Sequence, residues 1–251
     1  MPLIKLALGL AILGFLYVRM IRREEPEPIG KAQAVAPVIL GVVAVALSFA
    51  MFIAFALVLK VAGYSGEGVP LLPRSLISAF FLAGLPEELA KLAMMLLTLL
   101  IFRDKVKNVY ELILIGAAVG FGFSLFEEFL YGSANGFASI TRIVMIAAHM
   151  SLGIVMAKHL GFAKHKKAAG SQSAVGEYAL AVAIPMAIHT FYDAFTVSNK
   201  MLDSPNDTIV IIGVVSALVV VAAMFAWQVY EILSFKRNTQ KYCDMELALR
   251  S

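Results

Sequence analysis

Long stretches of this sequence hold no polar residue at all, and the polar residues that do interrupt them fall at helical spacing. Apolar runs cover about residues 3–18, 35–62, 74–102, 109–131, 138–160, 177–199 and 207–234, each close to the roughly twenty residues needed to cross a hydrocarbon core about 30 Å thick. They are apolar on every side rather than striped, which a helix bathed in water does not tolerate. The breaks read as turns and linkers: Glu24 to Gly30 (EEPEPIG), Gly63 to Pro73 (GYSGEGVPLLP), Arg103 to Asn108 (RDKVKN), Gly132 to Gly136 (GSANG), Lys164 to Gly176, and Lys200 to Asp207 (KMLDSPND). The pattern predicts an all-α, polytopic membrane protein of seven transmembrane helices. It divides the chain into an N-terminal anchor helix with its linker (1–34), a helical membrane domain (35–235, motifs within 84–195) and a C-terminal tail (236–251).

Composition agrees. Hydrophobic residues make up 61% of the 251 and charged residues 15%, with a mean hydropathy of +0.85; soluble domains average about 25% charged. The net charge of +4 comes from residues grouped in short loops, which points to membrane topology and not to nucleic acid. Lysines and arginines alternate in step with the seven runs. Fifteen fall on one side (Arg19, Arg22, Arg23, Lys31, Arg103, Lys105, Lys107, four between Lys158 and Lys167, Lys236, Arg237, Lys241, Arg250) against five on the other (Lys5, Lys60, Arg74, Arg142, Lys200). Basic loops stay in the cytoplasm, so the expected orientation is N-terminus out and C-terminus in. The basic cluster follows the first apolar run instead of preceding it, which argues for an anchor and against a cleaved signal peptide. The one cysteine, Cys243, can form no disulfide within the chain.

Eight ionisable residues lie inside the third to sixth runs: Glu87, Glu88, Lys91, Glu127, Glu128, His149, His189 and Asp193. An ionised side chain at the centre of a membrane helix costs roughly 2.5–3.5 kcal/mol on insertion scales, so eight over four helices imply a shared polar interior. In GLPEELAKLAMML, Pro86 should break or restart the helix, and Lys91 can reach Glu87 or Glu88 from one face. In GFGFSLFEEFLYG, Phe123 and Glu127 share a face, while Glu128 points elsewhere and is expected to meet interfacial water. Gly116, Gly120 and Gly122 permit close helix packing. His149 stands alone in IAAHMSLG. In IPMAIHTFYDAF, His189 and Asp193 are one turn apart behind Pro185, so the acid can orient the imidazole or share a metal with it. His159 and His165 belong to the basic loop end, where a solvated or interfacial role is expected. With the orientation above, the polar group lies in the outer half of the membrane.

These motifs, E-E-x-x-K, F-x-x-x-E, a lone membrane histidine and H-x-x-x-D in that order over residues 84–195, resemble those of the PrsW family of bacterial intramembrane proteases, grouped with the CAAX and bacteriocin-processing proteases. The resemblance implies peptide-bond hydrolysis in a prokaryotic plasma membrane, with Glu87, Glu88 and His189 essential and Glu127, His149 and Asp193 completing the site, supported by Lys91 and Phe123. It implies a membrane protein or peptide as substrate, such as a single-pass anti-sigma factor cut on its extracytoplasmic side, and no nucleic acid. Glu128 stands where relatives often carry Asn. CAAX proteases carry His and Arg where this chain has Glu127 and Lys91, which argues against a prenylated tail. Two mechanisms stay open at this stage: Glu87 as general base with no cofactor, or a Zn²⁺ held by a subset of Glu127, His149, His189 and Asp193. The absence of H-E-x-x-H excludes a zincin-type site. A proton- or cation-coupled transporter, or a catalytically silent scaffold, is the reading from other functional classes.

Overall fold

A computed structural model describes residues 2–22, 29–131 and 137–247. The core of the acidic linker, the GSANG turn and the last four residues lie outside the described residues. So do Arg23 and Arg250 of the charge pattern and the side chains of Lys5 and Arg142. Helices dominate: α1 (Pro2–Ile21), α2 (Lys31–Val61), α3 (Leu71–Ala79), α4 (Leu85–Ile101), α5 (Val109–Tyr131), α6 (Phe137–Ala168), α7 (Ala174–Phe195), α8 (Asp207–Arg237) and the short α9 (Thr239–Cys243). A π-helical turn, Phe80–Gly84, joins α3 to α4. The helical stretches coincide with the apolar runs, and among the described residues five helices are long and apolar enough to cross a membrane. The protein is an all-α, polytopic membrane protein.

Burial separates an inner from an outer layer. In α5 83% of the apolar window is buried and in α6 78%, against 17% in α2 and in α8. Small residues allow α5 to be enclosed: a Cβ added at Gly116 would lie 2.2 Å from the carbonyl oxygen of Gly153 on α6, and one at Gly122 would collide with that of Val38 on α2. The outer helices instead present Ile39, Phe49, Leu57, Ile211, Val219 and Phe225 to their surroundings. Such a face is unfavourable in water and ordinary in hydrocarbon, where backbone groups must be satisfied within each helix.

The break expected at Pro86 takes a specific form. Pro86 sits in the first turn of α4, where its missing N–H and its ring would conflict with the turn before it. The π-helical turn at Phe80–Gly84 inserts the extra residue that relieves the conflict, and it does so next to a cluster of polar residues, a common place for such bulges. The chain therefore stays helical from Leu71 to Ile101 while changing the face it presents.

The chain end is docked, not loose. Val109 N–H donates to Met245 O (3.0 Å) and Leu247 N–H donates to Lys107 O (2.8 Å), around a bridge between Asn108 and Glu246. Tyr242 and Leu247 are buried, with the Tyr242 ring stacked on Phe235, itself stacked on Tyr110. This cap closes the end of the bundle that carries Arg19, Lys31, Arg103, Lys105, Lys158, Lys166, Lys167, Lys236 and Arg237.

Candidate metal and catalytic site

The polar residues of four helices meet at one place, away from that basic end. At 1.5 Å per residue, Glu87 is about 21 Å along α4 from Ile101 and His189 about 22 Å along α7 from Ala174. Asp193 and Glu127 lie within a turn or so of the opposite ends of α7 and α5. The site therefore lies toward one end of the bundle and the basic residues lie at the other.

Lys91 and Glu88 form the hidden centre. Both are fully buried. Lys91 Nζ donates to Glu88 Oε1 (2.7 Å) and contacts His149 Nδ1 (2.8 Å), with the Phe123 ring 4.1 Å from it. Glu88 Oε1 also accepts from His189 Nδ1 (2.8 Å). His149 Nε2 is 2.5 Å from Glu127 Oε2. His189 Nε2 faces Glu87 Oε2 (3.7 Å) and Asp193 Oδ2 (3.5 Å). The partners assign the proton positions: a carboxylate only accepts, so His189 carries a proton on Nδ1, while its Nε2 faces the carboxylates of Glu87 and Asp193. With Lys91 as donor, His149 accepts at Nδ1 and directs Nε2–H to Glu127.

The local reasons are legible. Glu87 and Glu88 enter the interior because the π turn and Pro86 rotate the start of α4. Gly84 lets α7 close on that turn, since a Cβ there would fall 2.3 Å from Thr190 Oγ1, the residue after His189. Gly120 does the same for α6, where a Cβ would sit 2.2 Å from the carbonyl oxygen of His149. The i,i+4 pairs expected from spacing are present: Lys91 lies 3.7 Å from Glu87, and Asp193 3.5 Å from His189.

All six candidate site residues, with Lys91 and Phe123, are brought together. Two points differ from the sequence reading. Glu128, expected at the interface, is 3% exposed, because its side of α5 is turned inward while Phe126, Phe129 and Leu130 are exposed. His159, at the basic loop end, is half-buried and bonded through Nδ1 to Glu177 (2.7 Å), which also holds Lys166 (2.5 Å). The compact donor set differs as well: Glu87, His149 and His189 each offer a ligand atom, all within 4.8 Å of one another. Glu87 thus joins the histidines, whereas Glu127 and Asp193 hold their outer edges. No spacing rule reveals this, because the three residues lie on three helices.

A cavity of about 630 Å³ opens on the site. Glu87, Glu127, His189 and Asp193 form its polar wall; Val45, Phe49 and Phe52 of α2, Leu82 of the π turn, and Phe126 and Leu130 of α5 form the apolar one. Glu88, Lys91 and His149 stand behind the polar wall and do not line it.

Comparison with protein families matches residues 31–226 to the PrsW family intramembrane metalloprotease. Neither the curated proteins nor the solved structures contain a match to the chain. The matched segment runs from the first residue of α2 well into α8 and contains every residue of the four-helix polar cluster, so the chain belongs to the PrsW family of intramembrane metalloproteases and is an integral, multi-pass membrane protease.

Proposed function

We propose that this protein hydrolyses a peptide bond of a membrane protein, such as a single-pass anti-sigma factor, on the extracytoplasmic side of a prokaryotic plasma membrane, with seven crossings and its N-terminus outside. The observation that carries the reading is the cluster of Glu87, His149 and His189 at the polar wall of a cavity whose facing wall is apolar, with Glu87 and His189 lining it and His149 directly behind.

The donor set fits a divalent metal. Glu87 Oε2 is buried and has no hydrogen-bond partner, a costly condition for a carboxylate oxygen that a cation would remove. Two imidazoles and one carboxylate are also the protein ligands of many catalytic zinc sites, and Glu88 on His189 Nδ1 is the carboxylate such ligands usually have behind them. Glu87, His149 and His189 would hold the ion, which would polarise the scissile carbonyl and activate water.

The chain's own groups divide the remaining work. Glu88 and Lys91 touch no substrate; they fix the ring of His189 and the position of His149. Glu127 lines the cavity and accepts from His149 Nε2–H (2.5 Å), so the carboxylate stands between the imidazole and the cavity. The same carboxylate is placed to take a proton from the attacking water and deliver it to the departing amine nitrogen, as a general base and then acid. Asp193 holds His189 Nε2 toward the cavity. The apolar wall receives the side chains flanking the scissile bond and excludes other water.

The test uses the full chain purified in detergent with a transmembrane peptide substrate. Chelation should abolish cleavage and zinc should restore it. Glu87→Gln and His189→Ala should lower the bound metal together with cleavage, whereas Glu127→Gln should lose cleavage and keep the metal. Full cleavage after verified metal removal, or by Glu127→Gln, would show the assignment to be wrong.

A further inference from the structure

A second cavity lies on the other face of α6 from the catalytic cluster and runs toward the basic end of the bundle. Helices α1 and α8 each pack on α6, and between them a groove of about 200 Å³ remains. Its floor is Met150, Ser151 and Ile154 of α6, and Leu13 of α1 forms one wall. Arg19 of α1 and Lys236 of α8 close its end. We infer that this groove binds one acyl chain of an anionic phospholipid, whose phosphate is held between Arg19 and Lys236.

Size selects the chain. From Ala147 to Ile154 the groove runs about 10 Å along α6, so its mean cross-section is about 20 Å². A helix is about 10 Å across and does not enter; a single extended hydrocarbon chain does. Apart from Arg19, Lys236 and the buried Ser151, whose hydroxyl is already donated to Ala147 O (3.1 Å), every residue lining the groove is apolar.

Charge selects the headgroup. Arg19 and Lys236 are exposed, and neither has an ion-pair partner among the described residues. The acid nearest to Lys236 along α8, Glu231, is occupied by Lys158 (3.0 Å). Two unpaired cations on neighbouring helices, at the mouth of an apolar groove and at the level of the basic loops, present what a lipid phosphate requires.

Location separates the groove from the hydrolytic site. Ala147, Met150 and Ser151 face it, while His149 on the same helix turns to Glu127 and Lys91. Two of its three walls, α1 and the last turns of α8, fall outside residues 31–226, the segment matched to the family. A lipid in the groove would fasten α1 to the bundle.

Native mass spectrometry of the intact chain in detergent tests this directly. The chain is titrated with phosphatidylglycerol, with phosphatidylcholine of the same acyl chains, and with inorganic phosphate. Each basic residue near the membrane surface contributes about fivefold in affinity for an anionic lipid. One phosphatidylglycerol per chain should therefore bind about thirtyfold more tightly than phosphatidylcholine. Arg19→Gln with Lys236→Gln should reduce that preference to near unity. Ala147→Phe, which fills the groove, should weaken both lipids. Phosphate should not compete at concentrations that saturate phosphatidylglycerol. Equal binding of the two lipids by the unaltered chain, an unchanged preference in the double variant, competition by free phosphate, or occupation of the groove by a second copy of the chain would each overturn the inference.

Discussion

Lys91 should be indispensable to the fold in a way its neighbours are not, and the structure sets the size of the effect. It is the cation that the buried Glu88 pairs with, at 2.7 Å, and it also contacts His149 at 2.8 Å and the Phe123 ring at 4.1 Å. Lys91→Met preserves length and packing but leaves the fully buried Glu88 carboxylate without its balancing ammonium. Breaking a buried pair from one side costs about 3–5 kcal/mol. Replacing both members, Lys91→Met with Glu88→Gln, removes the charge as well as its partner. It still lets His189 Nδ1–H donate to an amide oxygen, so the double variant should lose only about 1–2 kcal/mol, the order of one hydrogen bond to a charged group. The double variant is therefore expected to be more stable than the single one. Denaturant unfolding in mixed micelles, read by tryptophan fluorescence and circular dichroism, gives the three free energies of the cycle. Cleavage should be lost in both variants, because His149 and His189 lose their settings even where the fold is kept. If Lys91→Met unfolds at the same denaturant concentration as the unaltered chain, or if the two substitutions cost the sum of their separate effects, Glu88 and Lys91 are not the coupled pair described.

Two other predictions follow from packing. Gly120→Val should push α6 from α5, since a Cβ there has only 2.2 Å to the His149 carbonyl oxygen; a shift of about 1 Å at a catalytic group costs on the order of a hundredfold in rate, so turnover should fall far more than the amount of folded protein seen by size-exclusion chromatography. Leu247→Ala should destabilise by about 2–4 kcal/mol through loss of a buried leucine, with increased proteolytic cleavage near residues 239–247 and little change in the cleavage rate of the protein that stays folded.

Much was written in the one-dimensional pattern. Apolar runs long enough to span a bilayer located the helices, because backbone groups in hydrocarbon must bond within their own segment. The costly polar residues on four of them located the site, because nothing but a common interior compensates them. Helical period also paired Lys91 with Glu87 and Glu88, and His189 with Asp193, since residues three or four apart share a face. Period says nothing, however, about how one helix is rotated against the next. That rotation was decided by the π turn before Pro86, by the carbonyl-to-glycine approaches at Gly84 and Gly120, and by the close packing of α2, α5 and α6. It turned Glu88 to His189 across 101 positions of sequence, set Glu87 among the imidazoles, buried Glu128 and folded the chain end back onto Asn108. The sequence by itself determined which residues the membrane would force together; their roles as wall, ligand or support are set by interhelical packing, which depends on side-chain volumes contributed by distant parts of the chain.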